Sequence, residues 1–175
     1  MGVLITAISL EHGGNGGNVI SEVFIQQNTV DYTTLRERHD EEEFVSGGMV
    51  LSAGNGASGN LTEDIWIVAN EISSPAPGIN LVAGWTQPQF QFPPSVGNTI
   101  RSVHLWCNMI TEHPGALEFM YPGIKGINLA GGWGLASGNR VENIEVYKNG
   151  VAGIENDVSV FHNAGESAKD NLVDY

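Results

Sequence analysis

The stretch GNRVENIEVYKN, residues 138–149, is one of four ungapped copies of a twelve-residue pattern. Each copy opens with Gly-Asn, closes with Asn, and has a β-branched or aliphatic residue at its seventh and ninth positions. The other copies are Gly17–Asn28 (GNVISEVFIQQN), Gly59–Asn70 (GNLTEDIWIVAN) and Gly97–Asn108 (GNTIRSVHLWCN). The four starts, at residues 17, 59, 97 and 138, are therefore 42, 38 and 41 residues apart. A repeat of this period indicates one supersecondary unit that is copied and then stacked or paired.

Each copy predicts a strand with two unlike faces, because its side chains alternate with period two. One face is apolar in all four copies and is predicted to point into the core: Val23, Ile25, Ile65, Ile67, Val103, Leu105, Ile144 and Val146. The other face mixes aromatic and polar residues: Phe24, Gln26, Trp66, Val68, His104, Trp106, Glu145 and Tyr147. Aromatic residues on an outward face predict partial coverage by loops or by another chain.

A second apolar run precedes each copy and completes a strand–loop–strand unit. These runs are Gly2–Leu10, Gly48–Gly54, Gly78–Trp85 and Gly126–Trp133. The pattern predicts an all-β protein of four such units, each roughly 40 residues long, folded as a β-sandwich or compact barrel. A short right-handed β-helix and a four-bladed propeller are the alternatives. The closing asparagines of the copies are interpreted as turn formers or as an Asn ladder along a stacked solenoid, in preference to ligand-binding residues.

Three connecting segments also carry local predictions. Thr29–Phe44 has helical character and is charged, which predicts an exposed helix. Asn149-Gly150 is a hairpin signal that leads into Val151–Glu155. Val158–His162 is predicted as a further strand.

Length and composition predict one domain, residues 1–163, followed by a polar acidic tail, residues 164–175. Low charge content (15%) and 23 glycines favour a turn-rich β protein. The chain has 7 Lys and Arg against 20 Asp and Glu, a formal net charge of −13. A field of this sign repels phosphate backbones and anionic membranes, so neither nucleic acid nor membrane is predicted as a partner.

The N-terminal stretch Met1–Gly14 is apolar for about ten residues, without a basic flank or a cleavage pattern. It is too short to span a bilayer. This stretch therefore predicts the first strand of a soluble protein that is made in a cytoplasm without a signal peptide.

Few residues carry a pattern typical of catalysis or metal binding. The run His39–Glu43 is interpreted as a solvated charge run, because consecutive helical residues point in different directions. The histidines include no zinc-type i, i+4 pair, and His104 is interpreted as an ordinary half-buried histidine. The single cysteine, Cys107, excludes an intrachain disulfide and is predicted to be buried and inert. The sequence predicts no catalytic residue, metal or cofactor, and a chain that is not an enzyme.

Two sets of aromatic residues are candidates for binding. Phe24, Trp66, Trp106 and Tyr147 are predicted to anchor a contact between protein subunits, where Trp and Tyr are concentrated. Trp85 and Trp133 occupy matching places after the Gly-Ile-Asn-Leu runs and are the candidate contacts for a glycan. A protein interface is favoured over a glycan site.

In its short strands, its Gly/Asn-rich turns such as NEISSPAPGINL (residues 70–81) and its low lysine content, the chain resembles small β-rich bacteriophage virion proteins, such as decoration, tail or fibre-associated subunits. The stretch Gly126–Ile154 also resembles a coil of the β-helices found in tailspikes and polysaccharide lyases. The first resemblance implies a structural protein of the virion that associates with itself and with other virion proteins. A lectin-like module or a tailspike-like carbohydrate-active protein is the alternative.

Overall fold

The computed structural model describes residues 4–5, 8–11, 16–31, 48–54, 56–74, 77–86, 93–112, 126–164 and 167–175. All regular secondary structure in these residues is β, which confirms the predicted all-β class. None of the described residues belongs to a helix of the length and hydropathy needed to cross a membrane.

The strands form three main sheets, and successive turns of the chain contribute successive strands to each sheet. Sheet 1 contains β2 (Ile8–Glu11), β5 (Met49–Ser52), β8 (Ile79–Thr86), β12 (Ile127–Gly134) and β17 (Val158–Ala164). Sheet 2 contains β3 (Val19–Gln26), β6 (Leu61–Val68), β10 (Thr99–Trp106), β14 (Arg140–Tyr147) and β18 (Leu172–Asp174). Sheet 3 contains β1 (Leu4–Ile5), β4 (Thr29–Asp31), β7 (Glu71–Ser74), β11 (Met109–Glu112), β15 (Gly150–Val151) and β16 (Ile154–Glu155). A separate pair contains β9 (Ser95–Val96) and β13 (Ala136–Ser137).

Apart from the antiparallel pair β15–β16, neighbouring strands of each sheet are parallel and lie one coil apart in register. Val23 pairs with Ile65, for example, and Ile65 pairs with Val103. The chain runs from sheet 1 through sheet 2 to sheet 3 and then returns to sheet 1 one layer further along the axis. This winding is that of a parallel β-solenoid, the β-helix alternative of the sequence analysis.

The predicted β-sandwich or compact barrel is not found, because the three sheets are open and each strand pairs with its own copy in the next unit. The repeat itself explains this outcome. Equivalent positions carry similar side chains, so stacking the copies in parallel and in register buries all the apolar faces together. A four-bladed propeller is likewise absent from the described strands.

The core lies between the three sheets and contains the residues that the period-two pattern assigns to the inside. Ile65, Ile67, Val103 and Leu105 of sheet 2 are fully buried, while Val23 and Val146 are partly buried and pack against this core. Sheet 1 contributes fully buried residues at equivalent positions of three coils, namely Leu51, Leu81 and Leu129. The predicted inward face of the repeat is therefore confirmed.

Two rows of asparagine run along the corners on either side of sheet 2, which confirms the Asn-ladder interpretation. The first row is Asn18, Asn60, Asn98, Asn139 and Asn171, and the second is Asn28, Asn70, Asn108 and Asn149. In both rows the Oδ1 of every asparagine after the first accepts a hydrogen bond from the backbone N–H of the preceding asparagine at 2.8–3.1 Å. A Cβ atom on Gly84 or Gly132 would overlap the side chain of Asn139 or Asn171, so glycine at the end of β8 and β12 makes room for the first row.

Each row ends on an asparagine of the same coil instead of the next one. Asn156 Oδ1 accepts from the backbone N–H of Asn149 at 2.8 Å, seven residues away. Asn163 Oδ1 accepts from the backbone N–H of Asn171 at 3.2 Å, eight residues away. These two residues satisfy the last donors of the ladders.

The local predictions have mixed outcomes. The strand from Val158 is confirmed as β17. A hairpin forms between β15 and β16, but its turn is at Ala152 and Gly153, so the turn predicted at Asn149-Gly150 is wrong: Asn149 belongs to the second asparagine row and Gly150 to β15. Thr29–Asp31 is strand β4, so the predicted helix is wrong at its start, because these residues pair with β1 and β7; residues 32–44 lie outside the described residues. Within the predicted polar tail, β18 pairs with β14 and continues sheet 2.

Candidate docking face on sheet 2

The strands of sheet 2 share an unusual backbone feature at the sixth position of the repeat. Glu22, Asp64, Ser102 and Asn143 have φ values of 56°, 53°, 53° and 54°. The ladder skips these residues, since Ser21 pairs with Glu63 and Val23 pairs with Ile65. A residue in the left-handed region kinks a strand and interrupts its period-two alternation. Because four neighbouring strands have this kink at the same position, the register is the same on both sides of it. The stacked kinks divide the outer face of sheet 2 into two strips.

The aromatic strip occupies the eighth and tenth positions of the repeat and consists of Phe24, Trp66, His104, Trp106 and Tyr147. The rings of Phe24 and Trp66 stack with their centroids 4.5 Å apart and their planes 6° apart. The rings of Trp66 and His104 continue the stack at 5.2 Å and 18°. Because the coil spacing of about 4.8 Å is close to the ring spacing, in-register pairing itself produces the stack.

The aromatic strip has one row at the eighth and one at the tenth position of the repeat, and His104 connects the two rows. Its ring lies edge-on to Trp106, with the centroids 5.0 Å apart and an interplanar angle of 67°. Its Nδ1 lies 2.9 Å from Glu145 Oε2, so the carboxylate on the next strand ends the row. The interpretation of His104 as half-buried agrees with its 26% exposed side chain, but sequence analysis missed its position between two tryptophans. The aligned copies give His104 the same position as Phe24 and Trp66, but only the parallel register brings the three rings together.

The strip is open to solvent at both of its ends. Phe24 is 62% exposed and Tyr147 is 50% exposed, whereas Trp66 and Trp106 are half-buried. Lys148 Nζ lies 5.1 Å from the centroid of the Tyr147 ring. The indole Nε1 of Trp106 is buried without a hydrogen-bond partner among the described residues. A buried unpaired donor costs about 1–3 kcal/mol, so folding stability alone does not favour Trp at this position.

The polar strip lies at the kinks and on their other side, at the sixth and fifth positions. It lines an open groove of about 800 Å³. The residues of this strip are Glu63, Asp64, Arg101, Ser102, Glu142, Asn143, Asp174 and Tyr175. Glu63, Arg101, Glu142 and Asp174 occupy equivalent positions on four adjacent strands. The sequence alone does not bring these carboxylates together, because only the register places them side by side.

One cation lies among the carboxylates of the polar strip, and it is already paired. Arg101 Nε and Nη2 donate to the same oxygen of Glu63, Oε2, at 2.8 and 2.6 Å. The hydrogen bond from Arg101 to Glu63 and their mutual attraction raise the pKa of Arg101 above its ordinary value. Glu63 therefore neutralises Arg101, while Asp64, Glu142 and Asp174 keep the strip acidic.

The other predicted contacts lie elsewhere. Trp85 and Trp133 are paired neighbours on β8 and β12 of sheet 1, both half-buried, so the structure separates them from the sheet 2 strips. Cys107 is exposed, so the prediction of a buried thiol is wrong. It follows the end of β10, where a φ of 56° turns the chain towards sheet 3. The described residues contain no group of three or more His, Cys, Asp or Glu side chains arranged to hold a metal ion.

Comparison with known proteins gives no relative from which a role could be transferred. No protein-family model, no curated protein and no solved structure matches the chain. The geometry of sheet 2 is therefore the basis for the functional proposal.

Proposed function

We propose that this protein is a non-enzymatic structural protein, a virion component by its resemblance to phage assembly proteins, that works by docking other protein subunits on the outer face of sheet 2. The observation that carries this proposal is the aromatic strip. Phe24 and Tyr147 leave large apolar surfaces in water at its two ends. Exposed contiguous apolar surface of this kind marks interaction sites.

The dimensions of the face suit a protein partner. Four strands of eight residues and one of three, spaced about 4.8 Å apart with about 3.3 Å per residue, give a face of roughly 550 Å². A specific interface of standard size buries about 800 Å² on each partner. Sheet 2 with the adjoining corners therefore provides enough area for one such contact.

The orientation of the rings also supports a protein contact over sugar stacking. Sugars stack on the faces of aromatic rings, but both faces of Trp66 are covered, one by Phe24 and the other by His104. The exposed parts of Phe24 and Tyr147 offer apolar contacts to a partner's side chains. Covering the exposed parts of Phe24 and Tyr147 would contribute about 1–2 kcal/mol each.

Carbohydrate binding is the second candidate function, and the groove of the polar strip is the observation that favours it. Its Arg101, Ser102 and Asn143 donors and its carboxylate acceptors could bind sugar hydroxyl groups. Trp85 and Trp133 on sheet 1 would be a separate glycan contact. This function predicts saturable binding of an oligosaccharide by the monomer.

The test of the docking proposal is absolute mass by light scattering over a concentration series, at about 0.15 M and about 1 M salt. The higher salt shortens the screening length from about 8 Å to about 3 Å, which removes most repulsion between acidic chains. We expect mass above the 18.7 kDa monomer at high salt. Trp66→Ala should abolish this association, while Trp85→Ala, a matched change on sheet 1, should leave it intact. A wild-type monomer under all conditions, or equal loss in both variants, contradicts the proposal.

A further inference from the structure

We infer that the partner docked on sheet 2 presents a basic amphipathic helix, with its apolar side on the aromatic strip and its Lys and Arg side chains on the polar strip. This inference rests on the proposed function and names the chemistry of the partner. It follows from the charge of the polar strip and from the spacing of both strips.

Electrostatic repulsion makes a second copy of this chain an unfavourable partner for sheet 2 at ordinary salt. The single arginine of the polar strip pairs with Glu63 and attracts Asp64 and Glu142 only at longer range, so these two carboxylates and Asp174 form no ion pair among the described residues. Another copy would bring the same acidic strip from a chain of formal net charge −13. Like charges that meet across an interface oppose association, whereas complementary charges steer the partner and set its register.

The spacing of the strips favours a helix over an extended strand. Both strips run along the solenoid axis and repeat at each coil, about every 4.8 Å. Side chains on one side of an α-helix laid along this axis recur once per turn, about every 5.4 Å. Over three intervals the helix positions depart from the coil positions of the strips by only about 2 Å. The same-face residues of an extended strand repeat about every 6.6 Å, and the divergence is then about 5 Å.

The distance between the strips fits the same partner. Positions five and eight of the repeat are three residues apart, or about 10 Å along the strand. A helix with its side chains is about 10–12 Å across, so one helix covers both strips. Both faces of Trp66 are covered by the rings of Phe24 and His104, so Trp66 offers no open face to a cation, and Tyr147 already has Lys148 Nζ 5.1 Å from its ring centroid. Cationic side chains are therefore directed to the carboxylates of the polar strip and apolar side chains to the rings.

The test uses an eighteen-residue amidated Leu/Lys amphipathic peptide as the probe. A Leu/Glu peptide with the same apolar face is its counterpart, and maltohexaose tests the glycan function. Binding to the full chain is measured by fluorescence anisotropy of the labelled peptides, with maltohexaose as competitor and in direct calorimetry. We expect the Leu/Lys peptide to bind with an affinity that falls as the salt concentration rises. The Leu/Glu peptide should bind at least tenfold more weakly.

Two double variants with the same change in net charge locate the site. Glu142→Gln with Asp174→Asn removes two carboxylates from the polar strip and should weaken binding of the Leu/Lys peptide about fivefold. Glu71→Gln with Glu155→Gln removes two carboxylates from sheet 3 and should change its binding less than twofold. Arg101→Gln should strengthen binding, because it frees Glu63. A matching thermal midpoint for every variant shows that folding is unchanged.

Equal weakening by the two double variants, equal affinity of the two peptides, no binding of the Leu/Lys peptide, or binding of maltohexaose alone would each overturn the inference. Its failure is distinguishable from failure of the docking proposal. If self-association at high salt still depends on Trp66, the docking face remains and only the basic helix is rejected.

Discussion

Asn139 lies beside Asn98 in the first asparagine row, and its Oδ1 accepts hydrogen bonds from both the backbone N–H and the Nδ2 of Asn98, at 2.8 and 2.9 Å. Its own Nδ2 donates to Asn171 Oδ1 and to the carbonyl of Ser95, at 2.8 and 3.1 Å. Asn139 is fully buried, so no solvent can replace these bonds. The asparagine rows therefore connect coils that the sequence separates by about forty residues.

Asn139→Ala should lower the free energy of unfolding by about 3 kcal/mol, because it leaves the backbone N–H of Asn98 buried without an acceptor. Asn163→Ala, at the exposed end of the same row, should cost less than about 1 kcal/mol, because water can take over its bonds to Asn171. Urea denaturation measures both changes. Equal losses in the two variants would mean that the row is not buried as described.

Ala69 lies at a corner of the coil where the backbone has a positive φ, so glycine is predicted to stabilise the fold there. The sequence itself gives no signal for glycine at this position. Ala69 is exposed with a φ of 53°, and an L side chain disfavours this conformation. Ala69→Gly should therefore raise the free energy of unfolding by about 1 kcal/mol.

Ala164, in strand β17 without a positive φ, is the control for this substitution. Ala164→Gly should lower the free energy of unfolding by about 0.5–1 kcal/mol, because glycine loses more conformational entropy on folding. Thermal denaturation of the pair measures the difference. If both variants raise the free energy of unfolding, or both lower it, the left-handed conformation at Ala69 is contradicted.

The thiol of Cys107 should react in the native state. The side chain is exposed at the corner between sheets 2 and 3, so a maleimide reagent should label it at the rate of a free, accessible thiol. Mass spectrometry measures the labelling, and Cys107→Ser provides the unlabelled control. Labelling that requires denaturant would return Cys107 to the buried site predicted from the sequence.

The sequence predicts which side chains of the repeat point inward, because period-two alternation depends only on local geometry. Ile65, Ile67, Val103 and Leu105 are buried for this reason. The partner of each strand is not local, since a repeat of 38–42 residues suits both a sandwich and a solenoid. The parallel register of the strands in the structure decides which strands pair, and it stacks Phe24 on Trp66.

Two features of the candidate site could not be predicted for related reasons. The residues with left-handed backbone in sheet 2 are Glu22, Asp64, Ser102 and Asn143, and no glycine marks the position. The polar strip exists because Glu63, Arg101 and Glu142 meet across three coils. No face is predicted for these residues from the sequence, and contact between them depends on the stacking of the coils.

In-register parallel stacking of the coils is the central claim, since both strips depend on it. Engineered cysteine pairs in a Cys107→Ser background test it most directly. Leu61 and Thr99 are paired on adjacent strands, about 4.8 Å apart, whereas Val19 and Thr99 lie two coils apart, about 10 Å. A disulfide needs a Cα separation below about 7 Å. Mass spectrometry under air oxidation should show an intrachain disulfide for the 61/99 pair and free thiols for the 19/99 pair. The reverse pattern, or no disulfide in either variant, would contradict the solenoid and the docking face built on it.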